Sequence, residues 1–185
     1  MRSIDYFDRG HDRAPGRAAL IDAATGERFT FAEVKARTER IAVAMHAAGF
    51  SSQQPAALYG PNSAAIMIAL LAIWRANGQW VPVNTRNAID ANAAYLNYVR
   101  CGWLFYHSSM AADVALLRAR VPSLTQCICL DRAMDGDASL DDLVAGAPDA
   151  DLPDFSDPFG APHDVVGLFP TGGTTGPSKG VVVTN

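Results

Sequence analysis

The chain has 185 residues, enough for one well-buried domain. Hydrophobic residues make up 49% and charged residues 18%, which excludes a disordered chain. A net charge of −4 and a pI near 5.4 leave no electrostatic case for a nucleic-acid backbone or an anionic membrane surface as partner.

The opening residues, Met1-Arg2-Ser3-Ile4-Asp5-Tyr6, are polar and lack the apolar core of a signal peptide. The longest apolar stretch, Ala64 to Trp74, is shorter than the roughly 20 residues a membrane span needs. It reads as a buried helix, so no transmembrane segment and a cytoplasmic location are expected. Cys101, Cys127 and Cys129 are odd in number and loosely spaced, which argues for a reducing compartment and against a disulfide framework. Cys127 and Cys129 fall on one face of a strand and read as buried thiols. His11, His46, His107 and His163 show no metal-ligand spacing.

Arg17 to Asp22 reads as a strand, residues 23–26 as a turn, and Glu27 to Thr30 as a returning strand. Thr30 and Glu33 have the spacing of a capping box, opening a helix that runs to about Ala48 and stops at Gly49. Pro55 to Tyr59 is the next strand. Gly60-Pro61-Asn62 is a sharp turn, with Asn62 as the expected cap of a helix ending at Arg75. That helix is apolar nearly all round, as expected of one packed against a sheet. Gln79 to Val83 is extended, Asp90 to Arg100 helical, Gly102 to Tyr106 a strand, Ala111 to Arg120 a helix and Gln126 to Leu130 a strand. This alternation predicts an α/β domain with a largely parallel sheet flanked by helices.

Composition changes after Arg132. From Ala133 to Ser178 there is no Lys or Arg, Asp is frequent, and proline recurs at 148, 153, 158 and 162. Residues 139–145 allow one or two helical turns, and the remainder through Pro162 reads as an acidic surface connection. The organisation expected is a core over 1–132, a connection over 133–163, and a strand–loop–strand unit over 164–185. The unit opens with the apolar strand Val165 to Phe169 and closes with Val181-Val182-Val183-Thr184.

Between these strands lies Thr171-Gly172-Gly173-Thr174-Thr175-Gly176-Pro177-Ser178-Lys179-Gly180. Its glycines let an anion approach the main chain and make φ > 0 cheap. Successive backbone N–H groups in such a turn form an anion nest. Thr171, Thr174 and Thr175 add hydroxyl donors. Lys179, one of two lysines beside Lys35, adds a mobile positive charge. Glycines for approach, hydroxyls for hydrogen bonds and one ammonium for charge are what a polyphosphate cradle requires. A flexible linker would need no lysine there. A Walker A loop needs Gly before the Lys and Ser or Thr after it, whereas Ser178 precedes Lys179 and Gly180 follows. A Walker loop also opens a helix, and here a β-branched strand follows.

The run from Thr171 to Val181 resembles the signature loop of the adenylate-forming superfamily, which includes acyl-CoA synthetases, aryl-CoA ligases, luciferases and adenylation domains of peptide synthetases. It departs from the family pattern at Ser178, where a proline usually precedes the Lys. Asn185 stands where a His often does. Phe29-Thr30-Phe31-Ala32-Glu33-Val34 and Trp80-Val81-Pro82-Val83-Asn84 resemble family segments further upstream, in the correct order.

The resemblance implies that the fold is the first part of the large N-terminal domain of acyl-CoA synthetases. It implies ATP-dependent activation of a carboxylic acid, with fatty acids the first expectation, to acyl-adenylate and then acyl-CoA. ATP, Mg2+ and coenzyme A are the cofactors it implies, and a homo-oligomer is an open expectation. Thr171, Thr174 and Thr175 would serve as hydroxyl donors, Gly172, Gly173 and Gly176 as backbone donors, and Lys179 as counter-charge. Catalytic and metal-binding residues of the family are expected beyond residue 185, so a truncated chain, inactive alone, is expected. An adenylation module serving a carrier protein, and a non-catalytic nucleotide-binding domain, stay open as alternatives.

Overall fold

A computed structural model describes residues 1–151, 163–171 and 179–185. The chain begins with a helix, α1 (Ser3–Arg13), followed by the antiparallel hairpin β1 (Ala18–Ile21) and β2 (Arg28–Thr30). Then come α2 (Phe31–Ala47), β3 (Pro55–Tyr59), α3 (Ala64–Arg75), β4 (Gln79–Pro82), α4 (Ile89–Tyr98) and β5 (Trp103–Tyr106). A 3-10 turn at Ser108–Met110 leads into α5 (Ala111–Arg120), and β6 (Gln126–Cys129), β7 (Ala138–Ser139), α6 (Leu140–Ala145), β8 (Val165–Pro170) and β9 (Gly180–Thr184) complete the order.

Seven of these strands form one sheet in the order β7-β6-β5-β3-β4-β8-β9. Every pairing is parallel except that of β9 with β8. The sheet is buried on both faces, so its central strands alternate between two cores. Ala56, Leu58, Trp103, Phe105 and Ile128 pack under α1, α2 and α3. Ala57, Tyr59, Leu104, Tyr106, Cys127 and Cys129 pack under α4 and α5. Helices on both faces of a parallel sheet follow from right-handed crossovers that run first to one side of β3 and then to the other.

Several expectations hold in detail. The Thr30 hydroxyl accepts from the Glu33 N–H at 3.2 Å, and a Glu33 carboxylate oxygen accepts from the Thr30 N–H at 2.7 Å. α2 stops in a Schellman motif, with Gly49 at φ +94 and Phe50 N–H donating to Met45 O at 2.9 Å. α3 is the helix of the apolar run. Its cap, however, is Ser63, whose hydroxyl accepts from Ile66 N–H at 3.3 Å, and not Asn62. Asp22 completes that helix end by accepting from Ala64 N–H at 2.9 Å, and this bond, with those from Ala24 and Thr25, holds its carboxyl below the usual range.

Two elements were not anticipated. The polar start of the sequence is a helix, α1, in which Ile4 is buried and Phe7 packs on Phe31 with ring centroids 5.1 Å apart. Within the acidic connection, β7 adds a two-residue edge strand, and Arg40 of α2 donates to the carbonyls of Ala147 (2.9 Å) and Pro148 (2.6 Å). The connection is therefore held to the core through residue 148. Its prolines at 153, 158 and 162 lie outside the described residues.

The three cysteines are free and buried. Burial pushes the Cys101 thiol up to about 12 and raises those of Cys127 and Cys129. Only the thiolate attacks. An aromatic disulfide reagent at pH 8 is therefore expected to leave the native chain unlabelled over minutes and to label all three cysteines after denaturation. Prompt labelling of the native chain would contradict this packing.

Candidate functional site

The phosphate-loop candidate is built on the edge hairpin of the sheet. β8 runs parallel to β4, with Trp80 opposite Gly167, and then hands the chain to β9. Its end therefore falls on the carboxyl edge of the parallel strands, alongside Tyr59-Gly60, Pro82-Val83 and Tyr106-His107. That edge is where open α/β sheets place their ligands.

Pro170 pairs with Gly180, and beyond that pair Thr171 closes the loop onto Lys179. Thr171 N–H donates to Lys179 O at 2.8 Å, and the Thr171 hydroxyl donates to the same carbonyl at 3.2 Å. The hydroxyl oxygen also accepts from Lys179 N–H at 3.2 Å. The neck is thus fixed by three hydrogen bonds, and the single hydroxyl proton of Thr171 is engaged in one of them. Lys179 is exposed and, among the described residues, enters no ion pair. Gly172, Gly173, Thr174, Thr175 and Gly176 lie outside the described residues. The structure therefore brings Thr171 and Lys179 together at the base of the loop, and the ammonium remains available to an anion. An ammonium on a pinned neck, at the carboxyl edge, fits the terminal phosphates of a nucleotide.

A second polar group lies on the same edge, where the chain leaves β3 and β5. A Cβ on Gly60 would stand 2.8 Å from the Cβ of His107, so the strands leave no room between them there. His107 Nδ1 accepts from Ser109 N–H at 3.1 Å. Asp131 accepts from Ser108 N–H at 2.7 Å and from its hydroxyl at 2.6 Å. Burial pushes the Asp131 carboxyl up, but these bonds outweigh it and hold the group below its ordinary value. The cluster caps the turn before α5 and spends its polar atoms on itself.

On the face opposite α3, α4 lies beneath the loop's exit. Asn92 Nδ2 donates to Asn84 O at 3.0 Å, and Asn87 Nδ2 donates to Asn92 Oδ1 at 3.3 Å. These bonds tie the start of α4 to the segment leaving β4, and they place Tyr95 and Tyr98 against Gly180. Neither tyrosine is distinguishable in the sequence from a core aromatic. Among the described residues no three His, Cys, Asp or Glu side chains are grouped to hold a metal, and no helix is long and apolar enough to cross a membrane.

The chain is 33% identical to the 3-[(3aS,4S,7aS)-7a-methyl-1,5-dioxo-octahydro-1H-inden-4-yl]propanoyl:CoA ligase of Mycobacterium tuberculosis, over 95% of this chain and 35% of that one. It is 28% identical to the mitochondrial medium-chain acyl-CoA ligase ACSF2 of Macaca fascicularis, over 94% of this chain and 31% of that one. The chain thus spans about a third of the length of these relatives. The inhibitor-bound crystal structure of the N-terminal domain of FACL13 from Mycobacterium tuberculosis superposes with a TM-score of 0.84 at 26% identity, covering 100% of this chain and 44% of that one. The profile described as AMP-binding enzyme matches residues 7–185, and the chain accordingly belongs to that family of adenylate-forming enzymes.

Proposed function

We propose that the protein carrying this chain activates an aliphatic carboxylic acid with Mg-ATP and transfers the acyl group to coenzyme A. In the first step a carboxylate oxygen attacks the α-phosphorus, the α–β bridging bond breaks, and pyrophosphate leaves. The chain's part is to grip the β- and γ-phosphates and then the departing pyrophosphate. Lys179 supplies the counter-charge and Thr171 holds it at the loop's base. Gly172, Gly173 and Gly176 would offer backbone N–H groups, and Thr174 and Thr175 hydroxyls, to the phosphate oxygens. Positioning and charge stabilisation of this kind supply most of the catalysis in phosphoryl-centred displacement.

The observation that carries this reading is the pinned neck with its uncommitted ammonium. Coenzyme A as acceptor and an aliphatic acid as substrate are supported by the named activities of the two CoA ligases. Three free, buried thiols support the cytoplasm as its compartment.

The test is calorimetry on the 185-residue chain with inorganic pyrophosphate and with Mg-ATP. Saturable binding of both, weakened by added salt, is expected. No binding of either would overturn the reading. The chain by itself is expected to show no carboxylate-dependent ATP–pyrophosphate exchange, and turnover would refute that part.

A further inference from the structure

The hydroxyl of Tyr95 is a buried polar atom with no hydrogen-bond partner among the described residues. The residue is 5% exposed and belongs to the core between the sheet and α4 and α5, with Leu96, Leu104 and Leu117. It cannot swing to solvent without emptying that space. An unmade hydrogen bond of this kind is costly and calls for a physical explanation.

Its position shows what the use is. A Cβ on Gly180 would lie 3.5 Å from the Tyr95 hydroxyl and 3.4 Å from Cε1 of Tyr98. The phenol therefore points at the residue that follows Lys179, at the exit of the phosphate loop. Burial and the neighbouring Tyr98 push its pKa up to about 12, so at neutral pH it remains a protonated donor. What it lacks is an acceptor. Phosphate oxygens are acceptors in excess, and the group facing Lys179 in the proposed reading is a polyphosphate.

We infer that Tyr95 is a further binding residue of this site, donating its hydroxyl proton to a phosphate oxygen of the nucleotide or pyrophosphate held at the Thr171–Lys179 neck. The inference rests on the phosphate-binding reading of that loop. The hydroxyl is sealed in the structure, so the inference requires the chain at Gly180, on the β9 side of the neck, to shift when the phosphate enters.

The variant that tests this is Tyr95→Phe, which keeps the ring and removes the donor. Calorimetry with inorganic pyrophosphate is expected to show about tenfold weaker binding than the unmodified chain. The melting temperature without ligand is expected to stay level or rise, because the variant removes an unsatisfied buried hydroxyl. The upward shift of melting temperature on adding pyrophosphate is expected to shrink. A residue of purely structural importance would give the opposite pattern: a lower melting temperature without ligand and an unchanged affinity. That pattern overturns the inference. So does unchanged affinity in Tyr95→Phe when Lys179→Ala binds poorly, and in that case the phosphate reading survives. If the unmodified chain binds no pyrophosphate, both readings fall together.

Discussion

Replacing Lys179 by alanine is expected to weaken binding of pyrophosphate and Mg-ATP by roughly 10- to 100-fold. A hydrogen bond to a charged group contributes about 1.5–3 kcal/mol, and each 1.4 kcal/mol is about tenfold in affinity. The side chain is exposed, so the variant is expected to melt with the parent chain. The salt dependence of binding is expected to flatten, because an exposed ammonium is screened over a Debye length of about 8 Å at physiological ionic strength. Thr171→Val should act differently. It keeps the backbone bond from residue 171 to Lys179 O but removes both bonds made by the hydroxyl. The loop then loses its register at the neck, and affinity is expected to fall several-fold, less than for Lys179→Ala. Thr171→Ser, which restores the hydroxyl, should recover it. Equal affinity in all three variants would remove the neck from the site.

The proposed division of labour between Thr171 and Lys179 is only partly legible in the sequence. The loop's composition carries the proposed phosphate grip, because glycine, threonine and a lone lysine between β-branched strands have few other uses. The sequence could not show that Thr171 faces Lys179. That depends on the register of β8 against β9, which shifts between Val165 and Gly167. Tyr95 was invisible for a related reason. It is flanked by Ala93, Ala94 and Leu96, so it reads as a core aromatic, and only the tertiary placement of Gly180 sets its hydroxyl beside the loop.

The fold was more legible than the site, and beyond α1 and β7 its errors sit at helix ends. Gly49 ended α2 where the sequence placed it. α3 and α4 end in the same motif, but with Asn77 at φ +56 and Arg100 at φ +50 in the left-handed position. Arginine carries no signal for that conformation. The pattern therefore carried α4 through Arg100, whereas the helix closes at Tyr98 and Cys101 N–H returns to Leu96 O at 2.9 Å. Asn62 and Ser63 are both good caps, and only the turn geometry decided between them.

The first helix, α1, supplies the second large effect. Asp8→Ala is expected to destabilise the chain by about 3–5 kcal/mol, the cost of leaving a buried charge without its partner. Arg75 is that charge, buried at the end of α3 at 5% exposure. Its guanidinium donates to both carboxylate oxygens of Asp8, at 3.0 and 2.6 Å, and through Nε to the Thr38 hydroxyl at 3.0 Å. Glu39 stands 3.8 Å away and compensates only in part. For a chain of this length the loss corresponds to roughly 6–20 °C in melting temperature. Arg75 is not at fault for being charged; it is at fault when left alone. The double variant Asp8→Leu with Arg75→Met should therefore recover most of the loss, because a buried ion pair replaced by apolar side chains is often neutral. Amides of α1 are expected to exchange fastest in Asp8→Ala, since that carboxylate joins α1 to α3. If Asp8→Ala melts with the parent chain, α1 is not held by this pair, and the buried guanidinium must find its counter-charge in Glu39.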